Sequence, residues 1–195
     1  MTDTTRLART LEAIDAANAA DPHQESFEGK SAPKEWLYGR RMSETLALLE
    51  PSASEALQLA VRSQHIRRWE VPRDSYPMDR PGYLRWRKDL QDFHSEQATA
   101  ILEAEGYSAE EIGRVTDLLH KRKFKVDPEA QTLEDVACLV FLRYYLDEFM
   151  RQHPEEKVVE IIAKTWKKMS EKGHQAALKL PLSAEAGRVV QKALA

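Results

Sequence analysis

The chain has 195 residues, 42% hydrophobic and 31% charged, with a formal net charge of −3. That suits one folded domain with a real core, and the negative balance argues against a general nucleic-acid coat. No run approaches the length of a membrane span, MTDTTRLART lacks the apolar stretch of a secretion signal, and the single cysteine, Cys138, excludes an intrachain disulfide. A cytoplasmic protein with no membrane role is the expectation.

Seven glycines are present and no alternating strand pattern is sustained. Apolar residues recur at helical spacing almost throughout, which predicts an all-α fold in a single compact domain over 1–195. A first helix is expected over 3–20, with Leu7, Leu11 and Ile14 on one face. The polar stretch DPHQESFEGKSAP follows. A second helix starts near Pro33 and stops at Pro51. A third begins at Ser52 or Ser54 and runs to about Arg68. The loop 69–80 contains Pro72 and Pro77, and Asp79 with Pro81 suits the start of a long helix over 81–105, closed by Gly106.

Ser108 and Glu111 have capping-box spacing for a helix ending near His120. After the basic link KRKFKVDPEAQ, Thr132 is expected to open a helix over 132–152. Pro154 opens another to about Lys179, and Ser183 caps a short terminal helix. Cys138 lies among Val136, Ala137, Leu139 and Val140 and reads as a small buried hydrophobe. The stretch with Val158, Ile161, Ile162, Trp166 and Met169 reads as a packing helix.

Charge is unevenly distributed. Residues 62–88 hold Arg62, Arg67, Arg68, Arg73, Arg80, Arg85, Arg87 and Lys88 against Glu70, Asp74 and Asp79, a net +5 on an acidic chain. A local positive patch of this kind favours a small anionic ligand over a polymer. Arg40, Arg41, Arg67, Arg68, Arg73, Arg80, Lys121 and Lys123 are candidates to surround a phosphate or carboxylate, since a guanidinium fork pairs with either. Trp69, Tyr76 and Trp86 are candidates to stack on a planar base or an arginine. The bland alternative makes Trp69 and Trp86 core anchors and pairs the arginines with Glu70, Asp74, Asp79 and Asp89.

His65, His94, His120 and Asp135 are the candidate metal ligands. Each lies near a helix end or on a helix flank, and imidazole with carboxylate suits zinc, iron or manganese. There is no HExxH and no CxxC. A lone histidine on a semi-apolar helix face is more often a satisfied core residue, and Asp135, three residues after Thr132, also fits a helix-start acid.

The stretches EALQLAVRSQHIRRW, FHSEQATAILEAEGYSAEEIGRVTDLLHK and TLEDVACLVFL resemble, in order, segments of the HD-domain superfamily of metal-dependent phosphohydrolases. The resemblance covers about 35–150. It implies an HD-like helix bundle, with His65 as the histidine of the His-Asp pair, His94 and His120 as the additional histidines, and Asp135 as the closing aspartate. Two positions depart from the pattern. Ile66 stands where the family has aspartate, and EWLYGRRMSE offers Tyr38 or Gly39 where it has its first histidine, leaving Glu44 and Glu70 as spare carboxylates. The stretches IDAANAADP, LYGRRMSE, QHIRRWEVPRDSYPMDRPGYLRWR and HKRKFKVDPEAQTLEDVACLVFL resemble a closer group, domain-of-unknown-function family 4202, which brings no established reaction.

The resemblance implies a hydrolase of a small phosphorylated or nucleotide substrate, with a divalent transition metal activating water and arginines neutralising phosphate charge. The alternative is a metal-free anion- or nucleotide-binding module. A third reading, an RNA-associated protein using the 62–88 patch, has the net charge against it.

Overall fold

A computed structural model of the chain describes residues 4–122 and 124–195. Among them the backbone forms ten α-helices and one two-stranded hairpin, so the fold is all-α. In order these are α1 (Thr4–Asn18), β1 (Gln24–Phe27), β2 (Lys30–Pro33), α2 (Lys34–Leu49), α3 (Glu55–Ser63), α4 (Arg80–Ala104), α5 (Ala109–Leu119), α6 (Pro128–Val140), α7 (Leu146–Gln152), α8 (Glu155–Trp166), α9 (Glu171–Ala177) and α10 (Ala184–Leu194). A π-helical segment, Phe141–Tyr145, joins α6 to α7. No helix among the described residues is long and apolar enough to cross a membrane.

Several starts and stops follow the residues that predicted them. The Asp79 carboxylate accepts from Gly82 N–H and Pro81 lies in the first turn of α4. Ser108 and Glu111 form the reciprocal capping box of α5, and Ser183 caps α10. Gly106 has φ +79, a left-handed value that favours glycine at a helix end.

Several boundaries differ from the sequence expectation, among them the expected helix 132–152, which the π-helical segment Phe141–Tyr145 divides into α6 and α7. Residues 24–33 form an antiparallel hairpin, turned by Glu28 (φ 51) and Gly29 (φ 75). Positive φ at both turn residues matches the strand twist, but strands of four mostly exposed residues show no alternation in sequence. Helix α3 stops at Ser63, where the backbone bonds shorten by one residue (Gln64 N–H to Val61, Ile66 N–H to Ser63), and beyond it Arg67 is left-handed (φ 50) with its N–H donated to Asn18 Oδ1 at 2.9 Å. Helix α6 starts at Pro128, not Thr132: the Asp127 carboxylate accepts from Glu129 and Ala130 N–H, and proline fits the first turn. The expected helix 154–179 breaks between α8 and α9, where Ser170 caps the new start.

Contacts cluster the chain into two compact units. The first holds α1, the hairpin, α2 up to Glu44, and α3 to α5. Within it α5 packs on α3 and α4, and α1 packs on the same two helices. Leu57, Ala60, Val61, Ile66, Leu102 and Leu118 are buried in its core. Ile66 is fully buried, worth about 1.5–3 kcal/mol over an exposed isoleucine. A cross-link of Arg6 to Glu111 (2.7 Å) and Glu55 (3.4 Å), with Tyr107 donating to Glu55, ties α1, α3 and α5. The second unit holds Thr45–Pro51 and Phe124–Ala195. There α10 packs on α8 and α7, and α9 on α6. Cys138 is buried, as expected.

Candidate functional site

The first unit gathers Glu35, Tyr38, His65, Arg68 and His94. Glu35 and Tyr38 come from the first turns of α2, His94 from the middle of α4, and His65 and Arg68 from the turn after α3. Two local features bring these elements together. Gly39 lies against Arg62, where an added Cβ would come within 3.2 Å of the Arg62 carbonyl oxygen, so α2 approaches α3 closely. The Asn18 side chain accepts from Arg67 N–H and ends the helical run, which turns the chain between His65 and Arg68.

His65 stacks flat on Tyr38, with ring centroids 3.9 Å apart and 9° between the planes. Its Nδ1 is 3.2 Å from Glu35 Oε2, and its Nε2 is 3.3 Å from Arg68 Nη1. Arginine can only donate, so Nε2 is the acceptor and the ring proton is on Nδ1, donated to Glu35. Arg68, His65 and Glu35 therefore form one polarised chain. About a quarter of the His65 side chain is exposed, whereas Glu35 is buried.

Electrostatics follow from that burial. Desolvation pushes the Glu35 carboxyl up to about 7, with Arg68 pulling the other way and Asp21 adding to the rise. Desolvation first, then the cations Arg68, Lys121, Lys34 and Arg87, hold His65 well below the ordinary imidazole range. His94 is held down by burial, then by His65 and Arg68. Both rings are neutral at pH 7, in a region of positive potential.

His94 lies with its ring centroid 6.0 Å from that of His65 and is 5% exposed. Among the described residues no hydrogen-bond partner reaches its buried Nε2; the hydroxyls of Ser63 and Ser95 share that condition. Native proteins leave few such atoms, which makes them a signal.

The two other expected metal ligands make polar contacts of their own. His120 Nδ1 is 3.6 Å from an Asp92 carboxylate oxygen. Asp135 belongs to the second unit, where it is 2% exposed and accepts from Ser170 N–H (2.8 Å), Ser170 Oγ and Gln131 Nε2 (3.1 Å). Because α6 begins at Pro128, Asp135 is inside its helix, and it serves the N-terminus of α9. Glu70, a spare carboxylate in the sequence reading, pairs with Arg67. No group of three or more histidine, cysteine, aspartate or glutamate residues among those described is arranged to hold a metal. Ile66, in the place of the resemblance's aspartate, is a core residue.

The candidate anion-binding residues separate sharply. Arg41 pairs with Glu25, Arg67 with Glu70 and Gln97, and Arg40 is 3.7 Å from Asp15. Arg73 donates to the carbonyls of Tyr76, Pro77 and Asp79 and so staples its own loop. Tyr76 donates to Asp89, Trp69 is half-buried, and Arg80 is exposed at the start of α4. Lys121 contributes positive potential at His65, and Lys123 lies outside the described residues. Arg68 differs from all of these. It is half-buried, sits 4.8 Å over the Trp86 ring, and its one hydrogen-bond partner among the described residues is the His65 ring. Trp86 itself is anchored by donating to the Val71 carbonyl.

Glu35 was missed by sequence reasoning. An acid in a first helical turn is ordinary, and its only signal was its place in EWLYGRRMSE, three residues before Tyr38. The family model described as "Domain of unknown function (DUF4202)" matches residues 8–190. No curated protein and no solved structure matches the chain. The match spans both units, and the chain belongs to the DUF4202 family.

Proposed function

We propose that the first unit binds a small phosphate-bearing anion at Arg68, with His65 and Glu35 as a proton-transfer pair beside it. The observation that carries this reading is Arg68: a half-buried guanidinium that feels the Glu35 charge but has no carboxylate within salt-bridge distance among the described residues, hydrogen-bonded to a neutral ring. A guanidinium has five donors, and this one spends a single donor on His65. Lys34, Arg87 and Lys121 add positive potential. A carboxyl near 7 next to a neutral imidazole can take or return a proton at physiological pH, the capacity that general acid–base chemistry on a phosphate ester needs.

The test is a thermal-shift and calorimetric titration of the full chain with inorganic phosphate, pyrophosphate and nucleoside monophosphates. Stabilisation by at least one of these, lost in Arg68→Gln, is expected; at a hundredfold excess over Kd it amounts to about 2.7 kcal/mol. Binding that survives Arg68→Gln unchanged, or no stabilisation by any of them, overturns the proposal.

A second reading is an HD-like metal-dependent phosphohydrolase, and His94 favours it. Its buried, unpartnered Nε2 beside the His65 ring is a donor atom in search of a partner. Glu35 on Nδ1 of His65 is the kind of outer carboxylate that orients a ligating imidazole. A zinc, iron or manganese ion held by His65 and His94 would supply a water of lowered pKa. Arg68 stands against it, because its cationic group occupies the Nε2 face of His65. Metal analysis after reconstitution decides: uptake of about one equivalent, lost in His94→Ala, supports this reading, and uptake below about a tenth of an equivalent overturns it.

A further inference from the structure

We propose that the second unit carries a separate binding site for a small amphiphilic anion, a molecule with an extended apolar body and one carboxylate or phosphate head. The unit contains a cavity of about 570 Å³ whose apolar wall includes Leu48, Leu49, Leu139 and Leu180, with Arg143 and Lys179 among its polar lining. Every lining residue belongs to the second unit, so the cavity is independent of Arg68 and His65.

Three observations define the ligand. The volume lies within the usual range for small-molecule sites, about 300–1,000 Å³, and points to a small molecule rather than a protein segment. The apolar part of the wall is mostly leucine, and Leu48 is 77% exposed at its edge, which leaves apolar surface open to a ligand. The charge is one-sided. Arg143, Lys172 and Lys179 line the cavity and no acidic residue does. Lys172 is neutralised by Glu50 at 2.7 Å, but neither Arg143 nor Lys179 has a carboxylate partner among the described residues. Two uncompensated cations beside an apolar cavity complement an anionic head on an apolar body. Arg143 also belongs to the π-helical segment Phe141–Tyr145, and π-helical insertions recur at functional sites because they re-aim side chains.

Decanoate, decyl phosphate and decanol, each below its micelle concentration, are titrated into the full chain carrying labelled leucine methyls. Decanoate or decyl phosphate is expected to shift the methyls of Leu48, Leu49, Leu139 and Leu180 saturably. Their relative affinities identify the preferred head. Decanol should bind at least about tenfold more weakly. Arg143 and Lys179 are exposed, so the double variant Arg143→Gln/Lys179→Gln should fold normally, lose about tenfold for the anions and keep its affinity for decanol. Ala176→Trp, which fills the cavity, should abolish all three. Absence of saturable shifts at those leucines overturns the proposal. So does equal affinity for decanol and the anions, or a double variant that binds the anions as tightly as the wild type. Shifts confined to the leucines of the first unit overturn it as well.

Discussion

The His65 centre and the Asp135 centre were drawn by sequence into one ligand set, yet they are opposite kinds of polar site. Asp135 is buried with three hydrogen bonds, and its surroundings fit its charge so closely that Gly173 has no room for a methyl group. The His65 centre is left open. Among the described residues, His94 has an unpartnered nitrogen and Arg68 has donors to spare, and Glu35 is held as a reluctant acid. A satisfied polar site secures a fold, whereas an unsatisfied one is a site that something else can complete.

The sharpest way to break this contrast is Asp135→Ala. Removing a buried, hydrogen-bonded carboxylate should cost about 4 kcal/mol in urea unfolding and leave phosphate affinity at Arg68 unchanged. A loss below about 1 kcal/mol would make Asp135 something other than a structural anchor.

The next effect is read from pH. Glu35 has its carboxyl raised from 4.5 to about 7, so the folded state holds a proton that the unfolded state releases. Its contribution is fully present below pH 4.5 and is lost as pH rises through 7, about 3 kcal/mol in total. His65 and His94 act in the opposite direction. Their lowered pKa values give stability that is present above 6.5 and lost on acidification below it. Glu35→Gln should flatten the decline between pH 4.5 and 7 and leave the acid-side loss in place, as measured by unfolding at a series of pH values.

A smaller effect is expected at Gly173. An added Cβ would lie 2.7 Å from Asp135 Oδ1, and Gly173→Ala should cost about 2 kcal/mol. In the Asp135→Ala background most of that cost should disappear, because the clash is with the missing carboxylate. Arg68→Gln should have the smallest effect on stability, about 0.5 kcal/mol, despite its loss of anion binding. A stability loss as large as that of Asp135→Ala would place both centres in the same structural class.

Local chemistry made much of the fold legible. Asp79 with Pro81, Ser108 with Glu111, Gly106 and Ser183 act within one turn of themselves, so adjacent letters suffice to read them. The missed boundaries depend on partners distant in sequence or on patterns too short to register. The left-handed turn at Arg67 that follows α3 is held by Asn18, which is 49 residues away. Candidate residues were legible as types but not as states. Sequence placed Arg41, Arg67, Arg68 and Arg73 in one basic group, and only three-dimensional pairing separates the one without a carboxylate or carbonyl from those with their partners. Glu35 became visible only through burial, which no neighbouring letter encodes.

Gly39 has a reach beyond its own contact. It is one turn after Glu35 on α2, pressed against the Arg62 backbone that leads into His65. A methyl group there would force the neighbour to give by a few tenths of an ångström, and the helix would carry Glu35 and Tyr38 away with it. The missing side chain at position 39 thus works as a gauge block, setting the gap between α2 and the turn that carries His65.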